Sequence, residues 1–357
     1  MASFCLKIME KTVDPTLPLL LIDADEEELA LSYMEEELKE MSNRKTVNFH
    51  LRDVPDSVCI QQFRFCKEEI YRLCHLLRIP DPVICSTGIR VSASFALCPT
   101  LRRLAYPNRW CDLTLLFGRS ISQLSLIFKE VSNLIIDNFG HKLSSLDQAW
   151  IDPERFAQAV ADKGAPLNNC WGLIDGTARE MTRPSEDQRH VFSGHKRKHV
   201  LKFQSIMAPN GLVVNLSGPY AGRRHDSGML ADSGLLPLLQ ERMNDAQGDA
   251  FCLYGDPAYP QSYHLQAPFR SVHLTAEEQL FNKDMSSVRQ CVEWGFGKVT
   301  TLFAFVDFRK NLKLFLQPIG KYYILAHLLA NCHTCLNGSQ TSTYFSLDPP
   351  SLEQYLS

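Results

Sequence analysis

The sequence predicts an α/β domain preceded by an all-α region, and three patterns support this. Apolar residues recur with helical spacing through residues 46–140. From residue 169 onwards, short β-rich runs alternate with turn residues, and a Pro-Asn-Gly turn at 209–211 joins two runs as a hairpin. A helical stretch that carries a glutamate follows these strands. Strands followed by such a helix indicate a sheet covered by helices, with functional groups at strand ends.

The length of 357 residues suits about two domains. Its composition, 45% hydrophobic and 22% charged, is typical of a globular protein with ample core. We predict an acidic N-terminal segment (residues 1–45), a helical region (46–140), a linker (141–168), an α/β domain (169–340) and a C-terminal tail (341–357).

The net charge of −3 conceals an uneven distribution. Residues 1–45 carry eleven acidic and five basic residues, which leaves 29 acidic and 32 basic residues in the remainder. This mild surplus permits nucleic-acid binding without proving it, because such binding depends on local patches. The N-terminus lacks the basic start and apolar core of a signal peptide. Apolar runs such as residues 17–22 are too short to span a bilayer.

Residues 110–136 are predicted to form two helices joined by a tight turn at Gly118. Ser120 begins the second helix, with Gln123 as its capping-box partner. This layout is typical of a helix-turn-helix, whose second helix enters the major groove of DNA. Two packed helices of an ordinary all-α domain are the alternative. The polar residues predicted to contact DNA are Arg119, Ser122, Gln123 and Lys129.

Three acidic residues in different local contexts form the candidate catalytic site. Asp175 and Asp256 each end a short apolar run beside a glycine, whereas Glu293 lies in a helical stretch. Two strand-end carboxylates and one helical carboxylate can converge on a pair of Mg²⁺ or Mn²⁺ ions, which prefer oxygen ligands. The pattern therefore predicts phosphoryl transfer on nucleic acid. The alternatives are turn aspartates and a surface glutamate that pairs with Arg289 one helical turn earlier.

Other polar features surround these acids. Thr275 and Glu278 form a predicted capping box for the helical stretch, in which we expect a break before Glu293. Asp226, in GRRHDSGML, competes with Asp256 for the second acidic position.

The densest basic cluster is Lys196, Arg197 and Lys198. Contact with DNA phosphates is one interpretation of it. A strand edge protected by charge is the other.

The block from WGLIDGT to VEWGFGKV resembles the nuclease of the Harbinger (PIF) superfamily of DDE transposases. The shared motifs are IDGT, RPSEDQRHVFSGHKRKH, GRRHD, GDPAYP and FNKDMSSVRQCVEWGFGKV, and the resemblance extends over about residues 60–335. The chain departs from relatives at Trp294, where Arg is common, and at Pro257 and Ala258, where Ser and Gly are usual.

The resemblance implies a ribonuclease-H-like fold with a mixed sheet flanked by helices. Asp175 would lie on the first strand, Asp256 after the fourth and Glu293 on a following helix, and together they would hold two Mg²⁺ or Mn²⁺ ions. Asp226 would begin the helix after the third strand, as a structural residue, a support for the ligands or a ligand itself.

The resemblance also implies cleavage of DNA and joining of DNA strands, in a nuclear protein that is made in the cytoplasm and then imported. A Myb-like DNA-binding partner and a homo-oligomer would accompany this activity. One alternative is a domesticated, catalytically silent DNA-binding or adaptor protein. Another is a ribonuclease-H-like nuclease with an RNA-containing substrate.

Overall fold

The computed structural model describes residues 49–314 and 316–357, so the acidic segment predicted at residues 1–45 lies outside them. In the described part, the region up to residue 139 is helical apart from a small antiparallel pair of strands. Its elements are α1 (Asp56–Phe63), α2 (Lys67–Leu76), β1 (Val83–Ile84), β2 (Arg90–Val91), α3 (Ala93–Ala105), α4 (Trp110–Phe117) and α5 (Ile121–Phe139).

Helices α4 and α5 follow the predicted turn chemistry. Gly118 ends α4 in the left-handed conformation (φ 62°), which glycine adopts without steric cost. Ser120 caps α5 and forms a reciprocal capping box with Gln123. Leu113 and Leu124, one from each helix, are fully buried in the core. The local fold of this segment therefore agrees with the pattern, while its role in DNA binding stays a prediction.

A mixed sheet forms the centre of the second part of the chain. Its strands are β3 (Cys170–Glu180), β4 (Phe192–Ser193), β5 (Lys198–Met207), β6 (Val213–Ala221), β7 (Cys252–Tyr254) and β8 (Leu265–Gln266). Strand β3 pairs antiparallel with β5 and parallel with β7. Both β4 and β6 pair antiparallel with β5. Strand β8 extends the sheet parallel to β7. The hairpin predicted around residues 209–211 is confirmed by the pairing of β5 with β6.

Helices flank this sheet. They are α6 (Pro153–Ala161), α7 (Gln188–Val191), α8 (Asp226–Ser233), α9 (Leu235–Arg242), α10 (Ala276–Leu302), α11 (Ile319–Asn337), α12 (Gln340–Phe345) and α13 (Leu352–Leu356). Helix α6 packs on β3, α10 packs on β3 and β5, and α11 packs on β6. The described chain is thus a mixed α/β protein, as the sequence predicts. None of its described helices is both long and apolar enough to cross a membrane.

Two segments that we predicted as linker and tail contain helices. Within residues 141–168, α6 begins at Pro153 after the Asp152 cap, and it buries Phe156 and Val160. Within residues 341–357, α12 and α13 pack into the core through Phe345 and Tyr355. These short helices were missed because each presents only one or two turns of apolar periodicity.

Helix α10 also differs from the expectation. It runs unbroken from Ala276 to Leu302, so the break predicted before Glu293 is wrong. Its Thr275–Glu278 capping box is present as predicted. A buried face that includes Met285, Val288 and Val292 keeps one helical register along the sheet.

Candidate active site

Asp175 lies where strand β3 passes from the core to the surface. Residues 170–174 of this strand are buried, and from residue 175 onwards the strand is half-buried. Only 17% of the Asp175 side chain is exposed. Its Oδ1 accepts a hydrogen bond of 2.8 Å from the backbone N–H of Gly176, and its Oδ2 lies 3.3 Å from Nη1 of Arg289. The local sequence thus places a mostly buried carboxylate against an arginine from helix α10.

Asp256 follows the neighbouring strand β7 at a matching level. Leu173 of β3 is in register with Tyr254 of β7, and the two strands are parallel. Asp175 and Asp256 each come two residues after this pair, so they lie next to each other at one edge of the sheet. Oδ1 of Asp256 accepts a 2.9 Å hydrogen bond from the N–H of Ala258, which fixes the carboxylate in the turn.

Asp226 completes a group of three aspartates. It is the first residue of α8, where a carboxylate interacts favourably with the helix N-terminus. Its Oδ1 lies 3.4 Å from Nζ of Lys202 on β5. A Cβ atom at Gly176 would lie 3.2 Å from the same oxygen, so the glycine after Asp175 allows Asp226 to approach closely. Asp226 begins a helix, as predicted, but the strand before that helix is the fourth of the sheet in chain order, because the two-residue β4 comes between β3 and β5.

The pKa values of Asp175 and Asp256 reflect burial and the repulsion of neighbouring carboxylates. Burial raises the pKa of Asp175 to about 6, opposed by Arg289 and increased further by the charges of Asp256 and Asp226. Burial also raises the pKa of Asp256, opposed by the Ala258 N–H, with a further contribution from Asp226. The site therefore concentrates negative charge that its cationic neighbours neutralise only in part.

Tyr259 is a residue of this site that sequence reasoning missed. Its side chain is buried, and its hydroxyl has no hydrogen-bond partner among the described residues. Burial raises the pKa of this hydroxyl, and the nearby charges of Asp226, Asp175 and Asp256 raise it further. A Cβ at Gly255 would lie 2.7 Å from the Tyr259 ring, so the glycine before Asp256 makes room for it. The sequence feature that could have indicated Tyr259 is its position three residues after Asp256.

The third predicted acid is Glu293. It lies on α10, is exposed, and forms no ion pair or side-chain hydrogen bond with a described residue. Arg289, one turn earlier, contacts Asp175 instead of Glu293. The role of Glu293 as a third catalytic acid stays a prediction, as do the roles of Asp175 and Asp256.

Comparison with known protein families agrees with this geometry. Residues 174–331 match the family of DDE superfamily endonucleases. The comparisons with curated proteins and with solved structures found no match. The DDE-matched region begins one residue before Asp175 and contains Asp226, Asp256, Arg289 and Glu293. It does not include α4 and α5.

The donor chemistry of the DDE-matched region fits a divalent metal ion. Carboxylate oxygens are the ligands that Mg²⁺ and Mn²⁺ prefer, and the excess negative charge at the three aspartates favours a cation. Arg289 and Lys202 are the side chains that lie against this charge, at Asp175 and Asp226 respectively. Within the described residues, however, no group of three His, Cys, Asp or Glu side chains is arranged to hold a metal ion.

The residues predicted to contact DNA lie in two places. Lys196 and Arg197 are exposed in the turn between β4 and β5, whereas Nζ of Lys198 pairs with Glu180 at 2.7 Å. This ion pair leaves less positive charge available for a phosphate at the turn between β4 and β5.

In the α4–α5 segment, the guanidinium of Arg119 lies 5.6 Å from the ring of Phe95. The side chain of Gln123 is engaged in the capping box. Ser122 and Lys129 on α5 are exposed and face solvent as predicted. Contact of any of these residues with DNA stays a prediction.

Proposed function

We propose that this protein is a metal-dependent DNA endonuclease and transposase-like strand transferase. The observation that carries the proposal is the convergence of Asp175, Asp226 and Asp256, from three separate segments, within the DDE-matched region. Within that class, the motifs that resemble the Harbinger superfamily favour a Harbinger-type nuclease. The central β3 strand, antiparallel to β5 and parallel to β7, is compatible with the ribonuclease-H-like fold that the resemblance implies.

In this proposal Asp175, Asp256 and Glu293 are the ligands of two Mg²⁺ or Mn²⁺ ions. Bound ions of this kind lower the pKa of an attacking water and stabilise the leaving oxygen of a phosphodiester. The protein's part is to position the carboxylates. The Gly176 and Ala258 N–H groups fix Asp175 and Asp256, and Lys202 fixes Asp226, which supports the ligands from the start of α8.

Arg289 is central to this arrangement because it contacts a proposed ligand. Its guanidinium pairs with Asp175 at 3.3 Å, and Arg289 lies one helical turn before Glu293. If Asp175 held a metal ion, Arg289 would be free to contact a phosphate of the DNA. In the proposal Arg289 would therefore orient Asp175 or the DNA, and it is not a metal ligand.

The second part of the proposal concerns DNA binding. Helices α4 and α5 would act as a helix-turn-helix, with Ser122 and Lys129 at the DNA surface and Arg119 beside them. Lys196 and Arg197 would contact phosphates near the catalytic site. A Myb-like partner that supplies sequence recognition, a homo-oligomer that holds two DNA ends, and a nuclear location belong to the same proposal.

Nicking of supercoiled plasmid in Mg²⁺ and Mn²⁺ tests the catalytic part. The variants Asp175→Asn, Asp256→Asn and Glu293→Gln remove one negative charge each while keeping nearly the same shape. Asp232→Asn is a matched control, because Asp232 also lies on α8 but its carboxylate pairs with Arg224 at a distance of 2.8 Å. We expect each of the first three variants to lose at least about a hundredfold in rate, and the control to keep wild-type activity.

The pattern of losses distinguishes the possible outcomes. Equal nicking by wild type and all three variants would exclude the carboxylate site. A loss with Asp175→Asn and Asp256→Asn but not with Glu293→Gln would place the third ligand elsewhere, with Asp226→Asn as the next variant. Absence of nicking by every protein, also with a Myb-like partner added, would favour a catalytically silent DNA-binding protein.

A further inference from the structure

A cationic cavity lies between the helical region and the last part of the DDE-matched region. It has a volume of about 250 Å³ and is lined by side chains from α3, α4, α5 and α11 and from the connection before α11. None of its lining residues belongs to the aspartate site. The residues on which the argument depends are Arg103, Trp110, Lys129, Phe305, Lys321 and Tyr322.

Arg103 is the most unusual of these residues, because it is only 5% exposed and no described acid forms an ion pair with it, although the charge of Asp112 favours its protonated form from farther away. Its guanidinium lies between two rings, 4.6 Å from the centre of Trp110 and 4.4 Å from that of Phe305. One Nη donates a hydrogen bond to the carbonyl of Asn108, while Nε has no partner in the described part of the chain. No described Asp or Glu forms an ion pair with it.

The charge of Arg103 persists in spite of its burial. Burial lowers the pKa of the guanidinium to about 10, which still leaves it protonated at neutral pH. A buried charge without a counter-ion is costly, and contact with aromatic rings compensates for only part of that cost. An anion in the cavity would supply the missing partner.

The remaining lining residues favour a particular kind of anion. Lys129 is exposed at the cavity, and Nζ of Lys321 lies 3.4 Å from the side-chain oxygen of Asn133, so three cations and no carboxylate line the space. Its aromatic rings contact one another, with Phe128 5.5 Å from Trp110 and 5.1 Å from Tyr322 between ring centres. Three cations beside an aromatic wall suit a phosphate group attached to a planar ring.

We propose that this cavity binds a single nucleotide, with its phosphate at Arg103, Lys129 and Lys321 and its base against the aromatic wall. The volume of about 250 Å³ equals about eight water molecules, so the cavity can hold at most one nucleotide and not a base pair. The nucleotide belongs either to a DNA strand with an unstacked base or to a free mononucleotide. Both have the same chemistry at this site.

Fluorescence polarisation with a labelled, 5′-phosphorylated single-stranded oligonucleotide tests the site in the full-length protein. EDTA in the buffer prevents metal-dependent cleavage, so the result does not depend on the proposed nuclease activity. The variants are Lys129→Gln, Lys321→Gln and Arg103→Met. Lys163→Gln is the matched control, because Lys163 is also exposed and lies 5.5 Å from an aromatic ring, that of Tyr344, outside the cavity.

We expect Kd to rise about fivefold or more with each lysine variant and to stay unchanged with Lys163→Gln. The slope of log Kd against log salt should also fall by about one when a phosphate contact is lost. Competition with dAMP distinguishes the two sources of the nucleotide. Displacement of the oligonucleotide by dAMP at similar concentrations indicates a site for free nucleotide, whereas failure to displace it indicates a site for the DNA strand.

The proposal is overturned if Lys321→Gln binds both the oligonucleotide and dAMP as tightly as Lys163→Gln does. Lys129→Gln does not decide alone, because Lys129 is also a proposed DNA contact of α5. Arg103→Met is interpreted only if its thermal unfolding remains cooperative. Lys321→Gln keeps the test decisive otherwise, since its side chain lies at the cavity and not in the core.

Discussion

The aspartate site and the Arg103 cavity both bury charge without full compensation, but with opposite sign and by different means. Asp175 has a cationic partner in Arg289, and its pKa is raised to about 6. Among the described residues, Arg103 contacts two aromatic rings and one carbonyl, and its pKa of about 10 keeps it charged. Asp175 can therefore relieve repulsion by taking up a proton, whereas Arg103 stays charged and is better compensated by an anion.

This difference predicts how each site responds to a substitution. Removal of a counter-ion from the aspartate site should destabilise the protein, and removal of a carboxylate should stabilise it. Removal of Arg103 should have little effect on stability, because no ion pair is lost. The predictions below begin with the largest expected effect.

Arg289→Gln should lower the free energy of unfolding by about 3 kcal/mol near neutral pH, since it leaves Asp175 charged and mostly buried. The loss should shrink below about pH 6, where Asp175 becomes protonated. Urea unfolding at two pH values measures both effects. Arg242→Gln is the control, because Arg242 forms an ion pair with the exposed Asp147 at 3.5 Å. A loss no larger than that of the control would mean that the Arg289–Asp175 pair contributes little.

Mn²⁺ should stabilise the protein through the aspartate site. At a concentration about one hundred times its Kd, an ion that binds only the folded state adds about 2.7 kcal/mol. Thermal unfolding with and without Mn²⁺ should therefore show a higher Tm for wild type and a much smaller shift for Asp256→Asn. Asp232→Asn should shift like wild type. An equal shift in all three proteins would place the metal effect outside the aspartate site.

Asp175→Asn should raise the free energy of unfolding by about 2 kcal/mol above pH 6, at the expense of activity. The sign follows from the raised pKa of about 6 in the folded state. The unfolded chain loses this proton near pH 4, so the cost of the charge is absent below about pH 4 and complete above about pH 6. The gain should follow the same window in urea unfolding. A gain that is independent of pH would show that Asp175 titrates normally.

Local sequence was sufficient to predict the parts of this site that depend on strand ends and caps. An apolar run closed by an acid and a glycine placed Asp256 correctly after a buried strand. The strand end predicted at Asp175 is wrong, because β3 continues to Glu180 and only its buried segment ends there. The Thr275 capping box and the Gly118 turn were equally readable, because their hydrogen bonds link residues only a few positions apart. These features require no knowledge of the tertiary fold.

The parts that escaped prediction depend on residues far apart in the chain. Arg289 contacts Asp175 across 114 positions, and no local pattern distinguishes this pairing from one with Glu293. The burial of Arg103 could not be predicted from the sequence either, because adjacent arginines such as Arg102 and Arg103 in an amphipathic helix usually face solvent. The unbroken α10 follows from tertiary packing, because Gly295 fits closely against Met207 of β5 and the helix continues through it.

Arg103→Met should change the free energy of unfolding by less than about 1 kcal/mol. Loss of the hydrogen bond to the Asn108 carbonyl and of the ring contacts costs about as much as is gained by removing an unpaired buried charge, and methionine fills a similar volume. Urea unfolding measures the change, with Leu104→Ala as a calibration. Leu104 is fully buried on the same helix, so its truncation should cost about 2–5 kcal/mol. A loss with Arg103→Met as large as that of Leu104→Ala would mean that the arginine stabilises the fold. A small loss combined with weaker nucleotide binding would mean that the chain keeps this charge for its ligand.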